Sequence, residues 1–320
     1  MIVRWGLDEL EPLLRELSIA RPYVIATERW ANLPLTATGR WGEVPTDRVA
    51  DVAEAAADAD GLLAVGGGSA IDLAKAVSVE TALPVVSVPT TYSGAEWAPT
   101  FGIRDPGRRI KGGGGGAHLA GIVYEPRLTY DLPLGTSVGT ALNALAHCAE
   151  AMYVRGRSDE ADAEALRGAA AIAASLPRVA ADGHDGEARA QLLAGAEAAG
   201  RALGLAGLGL GHAMAQAVGG TYGIAHGAAN ALCLPPALRF NETVAAEPIA
   251  RFAEAIGSAD APAGVQELAR LGGFERLRDL GVPEDGLAEV AEAAAVRQGA
   301  KANPRPASAA EIEQLYREIW

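Results

Sequence analysis

Of the five histidines in the 320 residues, three fall in apolar, glycine-punctuated stretches: His147, His212 and His226. Asn143 stands four residues before His147, a spacing that puts both on one face of a helix. His212 and His226 bracket Gly219, Gly220 and Gly223, a turn-rich link able to bring the imidazoles of two helices together. Imidazoles gathered in an apolar interior can ligate a divalent ion. They can equally stabilise charge developing on a substrate oxygen and deliver a proton to it. His118 and His184, the latter in the polar stretch Asp182-Gly183-His184-Asp185-Gly186, read as ordinary core or surface histidines.

A second set of residues suits phosphate rather than proton chemistry. Gly66-Gly67-Gly68-Ser69 follows the apolar run Leu62–Val65 and precedes a helical stretch, so its backbone N–H groups can meet a pyrophosphate at a helix N-terminus. A tight turn that merely needs glycine explains the run equally well, and neither GxGxxG nor a Walker loop is present. Glu28, at the end of the strand candidate Tyr23–Thr27, can accept hydrogen bonds from ribose hydroxyls and repel a 2′-phosphate, or be a plain surface charge. Thr90, Thr91 and Ser93, after Pro89, place hydroxyls where open α/β sheets bind ligands; turn chemistry is the alternative.

The elements that must position these groups change character along the chain. Strand candidates at 23–27, 62–65 and 85–88 alternate with helical stretches at 46–58 and 70–80, the signature of a parallel sheet covered by helices. Beyond Pro133 the chain turns Ala/Leu/Glu/Arg-rich with helical spacing. We therefore expect an α/β, Rossmann-like dinucleotide-binding domain over 1–132 and an all-α catalytic domain over 133–320. The expected hinge is Leu132–Ser137, with Thr136 or Ser137 capping a helix that runs to Tyr153. The run Gly112–Gly116 is expected to form a mobile loop between two short strands.

Composition removes several functions. Lys plus Arg number 27 against 40 Asp plus Glu, a formal charge of −13 with no basic stripe, so no nucleic-acid partner is expected. Cys148 and Cys233 lack any zinc-binding spacing and suit a reducing compartment. No signal peptide is visible, and a cytoplasmic protein is expected. Ala202–Leu238 contains no Asp, Glu, Lys or Arg, yet its glycines and His212, Gln216 and His226 make it a buried functional interior rather than a membrane span.

Taken together, GGGSAIDLAKA (66–76), PTTYSGAEWAPTFG (89–102), LNALAHCAEAMY (142–153), GHAMAQAVGGTYGIAHGAAN (211–230) and the terminal Asn303-Pro304-Arg305-Pro306 resemble the iron-containing alcohol dehydrogenase superfamily. Within it they are most similar to the maleylacetate reductases. The resemblance implies a dehydroquinate synthase-like fold, an NAD(P)-dependent oxidoreductase and a homodimer. It implies cofactor contacts at Gly67, Gly68, Ser69, Asp72, Thr90, Thr91 and Ser93, joined by Glu28 from the strand-end argument. Metal-dependent members use one Asp and three His, here matched by Asn143, His147, His212 and His226. Asn143 departs from Asp as maleylacetate reductases do, so the expectation is function without metal, with Fe2+ or Zn2+ on those four residues as the alternative. Gln216 stands where relatives carry a further histidine, which leaves His226 as the expected proton donor.

The expected reaction passes hydride from NADH, or else NADPH, to a small carbonyl or conjugated enoate acid. A dicarboxylate would need cationic anchors, for which Lys111, Arg239 and Arg305 are candidates; Lys111 is also placed with the catalytic histidines. The other readings are a metal-dependent dehydrogenase of simple alcohols, a lyase of the dehydroquinate synthase type and a nucleotide-binding protein without turnover.

Overall fold

Four apolar runs form the centre of a parallel sheet because each is buried on both faces, as strands under helices on either side must be. The structure, a computed structural model, describes residues 1–33 and 35–320. Its strands are β1 (Ile2–Trp5), β2 (Pro22–Ala26), β3 (Gly39–Trp41), β4 (Gly61–Gly66), β5 (Val85–Pro89), β6 (Phe101–Arg104), β7 (Ile110–Gly114) and β8 (Leu119–Tyr124). Six of them make one parallel sheet in the order β1-β8-β5-β4-β2-β3. Alternate residues point to opposite faces. Val24, Leu63 and Val86 pack with Leu10, Leu13 and Leu14 of α1 (Leu10–Glu16). Ile25, Leu62 and Ala64 pack with Val52 of α2 (Val49–Ala55) and Ile71 of α3 (Gly68–Thr81).

Local chemistry moves several of the expected boundaries. The helix expected over 46–58 is α2 alone, because the Thr46 hydroxyl accepts a hydrogen bond from Arg48 N at 3.3 Å and holds a turn ahead of it. The helix expected over 70–80 starts two residues earlier, at Gly68. The glycine run is not a loop throughout: Gly112–Gly114 belong to β7, paired antiparallel with β6. A Cβ on Gly113 would lie 2.8 Å from the Phe101 carbonyl oxygen, so a residue without one lets the two strands close.

The chain divides into two compact units, Met1–Thr129 and Tyr130–Trp320. The boundary lies three residues before the expected 132/133 division because buried Arg189 gathers the segment into the second unit. Its guanidinium donates to the carbonyls of Tyr130 and Leu132, each at 3.4 Å, and to Ser137 Oγ at 2.8 Å. Ser137 is thereby buried inside a helix rather than capping it, and the N-cap is Pro133.

The second unit is helical: α4 (Leu134–Ala151), α5 (Asp159–Ala181), α6 (Gly186–Ala206), α7 (Leu210–Tyr222), α8 (His226–Ala255), α9 (Ala261–Arg270), α10 (Leu287–Ala295), α11 (Gln298–Ala302) and α12 (Ala309–Glu318). α4 packs against α5, α6 and α8, and α7 against α8 and α10. α8 breaks at Ala245 (φ −142°), three residues before Pro248, whose ring removes an N–H and crowds the preceding turn. No single helix among the described residues is long and apolar enough to cross a membrane.

Candidate active site

In the first unit, strand register brings the expected phosphate-site residues to one edge. Ala26 pairs with Val65 and Gly66 with Pro89, so Glu28, the glycine turn and Thr90–Ser93 all emerge from the carboxyl ends of adjacent strands. From β2 the chain steps outward to β3, then returns to β4 and continues the other way. The β2/β4 boundary is therefore the topological switch point, where open α/β sheets take ligands.

Gly67 is the N-cap residue of α3, and a Cβ there would lie 2.9 Å from Thr91 Cγ2. A Cβ on Gly68 would meet Ser93 Oγ at an ordinary 3.5 Å, so the protein itself leaves that position open. Thr91 Oγ1 is buried with no hydrogen-bond partner in the chain. A half-buried helix N-terminus, a backbone without side chains and an orphaned hydroxyl fit a dinucleotide pyrophosphate. Glu28, exposed, opens a short 3-10 turn (Glu28–Trp30) just past β2.

Asp72, an expected cofactor contact, also bonds within the chain. Its carboxylate bonds Lys75 Nζ at 2.6 Å and the Gly102 N–H at 3.1 Å. Lys75, 1% exposed, also donates to the carbonyls of Ala95, Ala98 and Thr100 at 2.8, 3.2 and 2.6 Å. The pair ties the segment that follows Ser93 onto α3.

In the second unit, α4 presents Asn143, His147 and Glu150 at i, i+4 and i+7, on one face. α4 and α8 approach to backbone contact where Gly139 meets Gly227: a Cβ on Gly227 would lie 2.4 Å from the Gly139 carbonyl. That contact sets the start of α8, with His226 and Asn230, beside Asn143. The ring centroids of His147 and His212 are 4.7 Å apart at an interplanar angle of 12°, and those of His212 and His226 are 5.8 Å apart. The expected gathering of three imidazoles is therefore what the structure shows. Burial, with His212 and His226 alongside, holds His147 well below the ordinary imidazole range, so it stays neutral. His147 Nδ1 and His212 Nε2 are buried without a partner in the chain.

Two residues not singled out by their sequence positions complete the cluster. Asn230, fully buried, donates from Nδ2 to Asn143 Oδ1 at 2.7 Å and contacts His226 Nε2 at 3.1 Å. Glu150, also fully buried, lies 2.7 Å from His212 Nδ1 and accepts the backbone N–H groups of Gly209 at 2.6 Å and His212 at 3.0 Å. Their signal was spacing: each follows a cluster histidine by three or four residues on the same helix.

A divalent ion needs lone pairs converging at roughly 2.0–2.2 Å and charge to offset its own. The two nearly parallel rings of His147 and His212 do not offer that convergence. No group of three His, Cys, Asp or Glu among the described residues has ligand geometry, and the neutral Asn143 oxygen is already taken by Asn230. This donor set does not fit a tightly held iron or zinc ion.

The cationic candidates are all engaged within the chain. Lys111 pairs with Asp105 at 3.2 Å on the β6–β7 hairpin, and Arg239 with Glu318 at 3.2 Å. Arg305 bonds Glu311 and the Phe240 carbonyl and lies over the Phe240 ring at 3.8 Å, so it fastens α12 to α8. Cys148 and Cys233 are fully buried, and burial pushes both thiols up, leaving them unreactive. Gln216 lies one turn beyond His212 on α7.

A switch-point cradle fit for a dinucleotide and a buried imidazole cluster in a separate helical unit define a two-domain nicotinamide-dependent oxidoreductase. Residues 24–120 match the iron-containing alcohol dehydrogenase family and residues 137–320 the C-terminal domain of the same family; the chain belongs to it and is a maleylacetate reductase-like, NAD(P)-dependent oxidoreductase. It is 35% identical over 263 residues to maleylacetate reductase of Burkholderia cepacia, covering 82% of this chain and 74% of that one. Its fold matches the crystal structure of maleylacetate reductase from Agrobacterium tumefaciens at a TM-score of 0.89 and 30% identity, over 100% of this chain and 95% of that one. An iron-containing alcohol dehydrogenase from Corynebacterium glutamicum matches at 0.90 and 30%, over 100% and 94%.

Proposed function

We propose that this chain reduces maleylacetate or a close 4-oxo-enoate dicarboxylate with NADH and without a bound metal. The observation that carries the reading is the Asn143–Asn230 hydrogen bond inside a triad of imidazoles. Where a metal site would need a free carboxylate, this chain has a neutral amide already satisfied. The similarity to maleylacetate reductases supports the substrate class.

When bound, the nicotinamide supplies hydride. Hydride addition to the alkene of a conjugated 4-oxo-enoate sends an electron pair to the ketone oxygen, giving an enolate. The imidazole cluster serves that oxygen through hydrogen bonds and supplies the proton that completes the reduction. The buried, water-poor setting strengthens each of these bonds. Gly67, Gly68 and Ser69 receive the pyrophosphate, with Thr91 Oγ1 as a further donor. Glu28 meets the ribose hydroxyls and disfavours a 2′-phosphate, so NADH is the preferred reductant.

The test is a consumption assay of NADH and NADPH against maleylacetate and a panel of aldehydes and ketones. The expected ranking has maleylacetate first and NADH ahead of NADPH. A simple aldehyde turned over faster than maleylacetate would contradict the reading.

A further inference from the structure

Glu150 is a fully buried carboxylate with three hydrogen-bond donors aimed at it, and the family relationship assigns it no task. The first two donors are backbone. α7 begins at Leu210, with Gly209 as its N-cap residue and His212 as its third helical residue, and neither N–H has an intrahelical acceptor. Gly209 has no side chain to cap the helix, so Glu150 does it from α4, placing negative charge at the positive end of the helix dipole. Room for the carboxylate is made by glycine: a Cβ on Gly209 would lie 3.0 Å from Glu150 Cδ, and one on Gly211 3.0 Å from Oε1.

The third donor is the His212 ring. With Glu150 as a carboxylate, an acceptor only, the 2.7 Å contact places hydrogen on Nδ1. In neutral His212 the Nε2 lone pair is then exposed to the cluster, where that atom is buried and has no partner in the chain. The other two imidazoles are set differently. Nδ1 of His147 has no partner in the chain, and His226 Nε2 lies 3.1 Å from the Asn230 amide nitrogen.

We propose that Glu150 is the positioning residue of the reduction: it fixes His212 with Nδ1–H donated and so makes His212 Nε2 the atom that delivers the proton. This rests on the reduction proposed above and assigns to His212 the proton delivery expected of His226. In the forward direction the Nε2–H bond of His212 breaks, the proton passes to the enolate formed by hydride addition, and the ring is left neutral. Nε2 then takes a proton from solvent before the next turn, and the Glu150 contact to Nδ1 is kept throughout. A carboxylate behind an imidazole in this way holds both its orientation and its tautomer.

The test combines 15N NMR of histidine-labelled protein, free of substrate, with steady-state kinetics. His212 is assigned by the signal lost in His212→Asn. The wild-type spectrum should show His212 protonated on Nδ1, with or without a second proton on Nε2; a ring protonated on Nε2 alone overturns the proposal even if every Glu150 variant fails to fold. In Glu150→Gln one amide oxygen must serve three donors, and kcat for maleylacetate should fall at least about 100-fold with the Kd for NADH within about twofold. Glu150→Asp, which keeps both oxygens, should recover part of kcat. A folded Glu150→Gln enzyme with kcat within threefold of wild type would overturn the assignment. Because the tautomer is read on free protein, an incorrect substrate leaves that result standing, whereas loss of the tautomer with maleylacetate turnover intact sinks only the Glu150 role.

Discussion

The turn after β4 and the cluster on α4, α7 and α8 are built on opposite principles. The turn is built on what it lacks: Gly67 and Gly68 leave the start of α3 without side chains of their own. A large polar investment, the Lys75–Asp72 pair, pins the chain after Ser93 onto α3. The cluster works by what it has, five polar side chains nearly sealed from water: Asn143, His147, Glu150, His212 and Asn230. Binding a nucleotide needs space and a helix end, whereas moving a proton needs side chains with fixed tautomers. That difference predicts how each region should fail.

The largest effect should come from the cluster. His212→Asn should lower kcat about 1,000-fold, roughly 4 kcal/mol, while NADH affinity read by fluorescence titration stays within twofold. Weakened NADH binding of similar size would erase the division of labour. Next, Lys75→Met should destabilise the first unit by about 3 kcal/mol, because it strips three carbonyls and Asp72 of a buried partner. Denaturant unfolding would measure it, and a change under 1 kcal/mol would mean the pair is dispensable.

Gly68→Val should weaken NADH binding at least about tenfold, roughly 1.4 kcal/mol, with the melting temperature little changed. The space around Gly68 in the protein makes this a probe of the ligand rather than of the fold. Equal affinity in the folded variant would remove the pyrophosphate from the turn. The smallest effect is expected at Glu28, which is exposed: Glu28→Ser should narrow the preference for NADH over NADPH only severalfold, under about 1 kcal/mol. The ratio of kcat/KM for the two cofactors reads it directly.

These two regions were also unequally legible in the sequence. The glycine turn and Thr90–Ser93 could be placed because strand and helix periodicity fix where a βα turn must fall. Asn143 and His147 followed from helical spacing in the same way. Glu150 and Asn230 were harder, since a carboxylate in LNALAHCAEAMY or an amide in AHGAAN has no local mark of being buried. Asn230 depends on α4 and α8 touching at Gly139 and Gly227, and Glu150 on α7 starting beside α4, long-range contacts that no window of sequence displays. The β7 pairing of Gly112–Gly114 escaped for a related reason: its cause is the neighbouring Phe101 strand, while glycine composition alone suggests a loop. Arg305 misled in the other direction, because a guanidinium suited to an anionic substrate is equally suited to a carbonyl, a carboxylate and an aromatic face in its own chain.

The central claim is that a buried, amide-satisfied imidazole cluster carries out the reduction without metal. The measurement that tests it most directly is NADH oxidation with maleylacetate by protein purified without chelator, assayed before and after EDTA and after readdition of Fe2+ or Zn2+, with metal content determined alongside. The account predicts substoichiometric metal and a rate unchanged by either treatment. Stoichiometric iron or zinc, with turnover abolished by EDTA and restored by the ion, would contradict it.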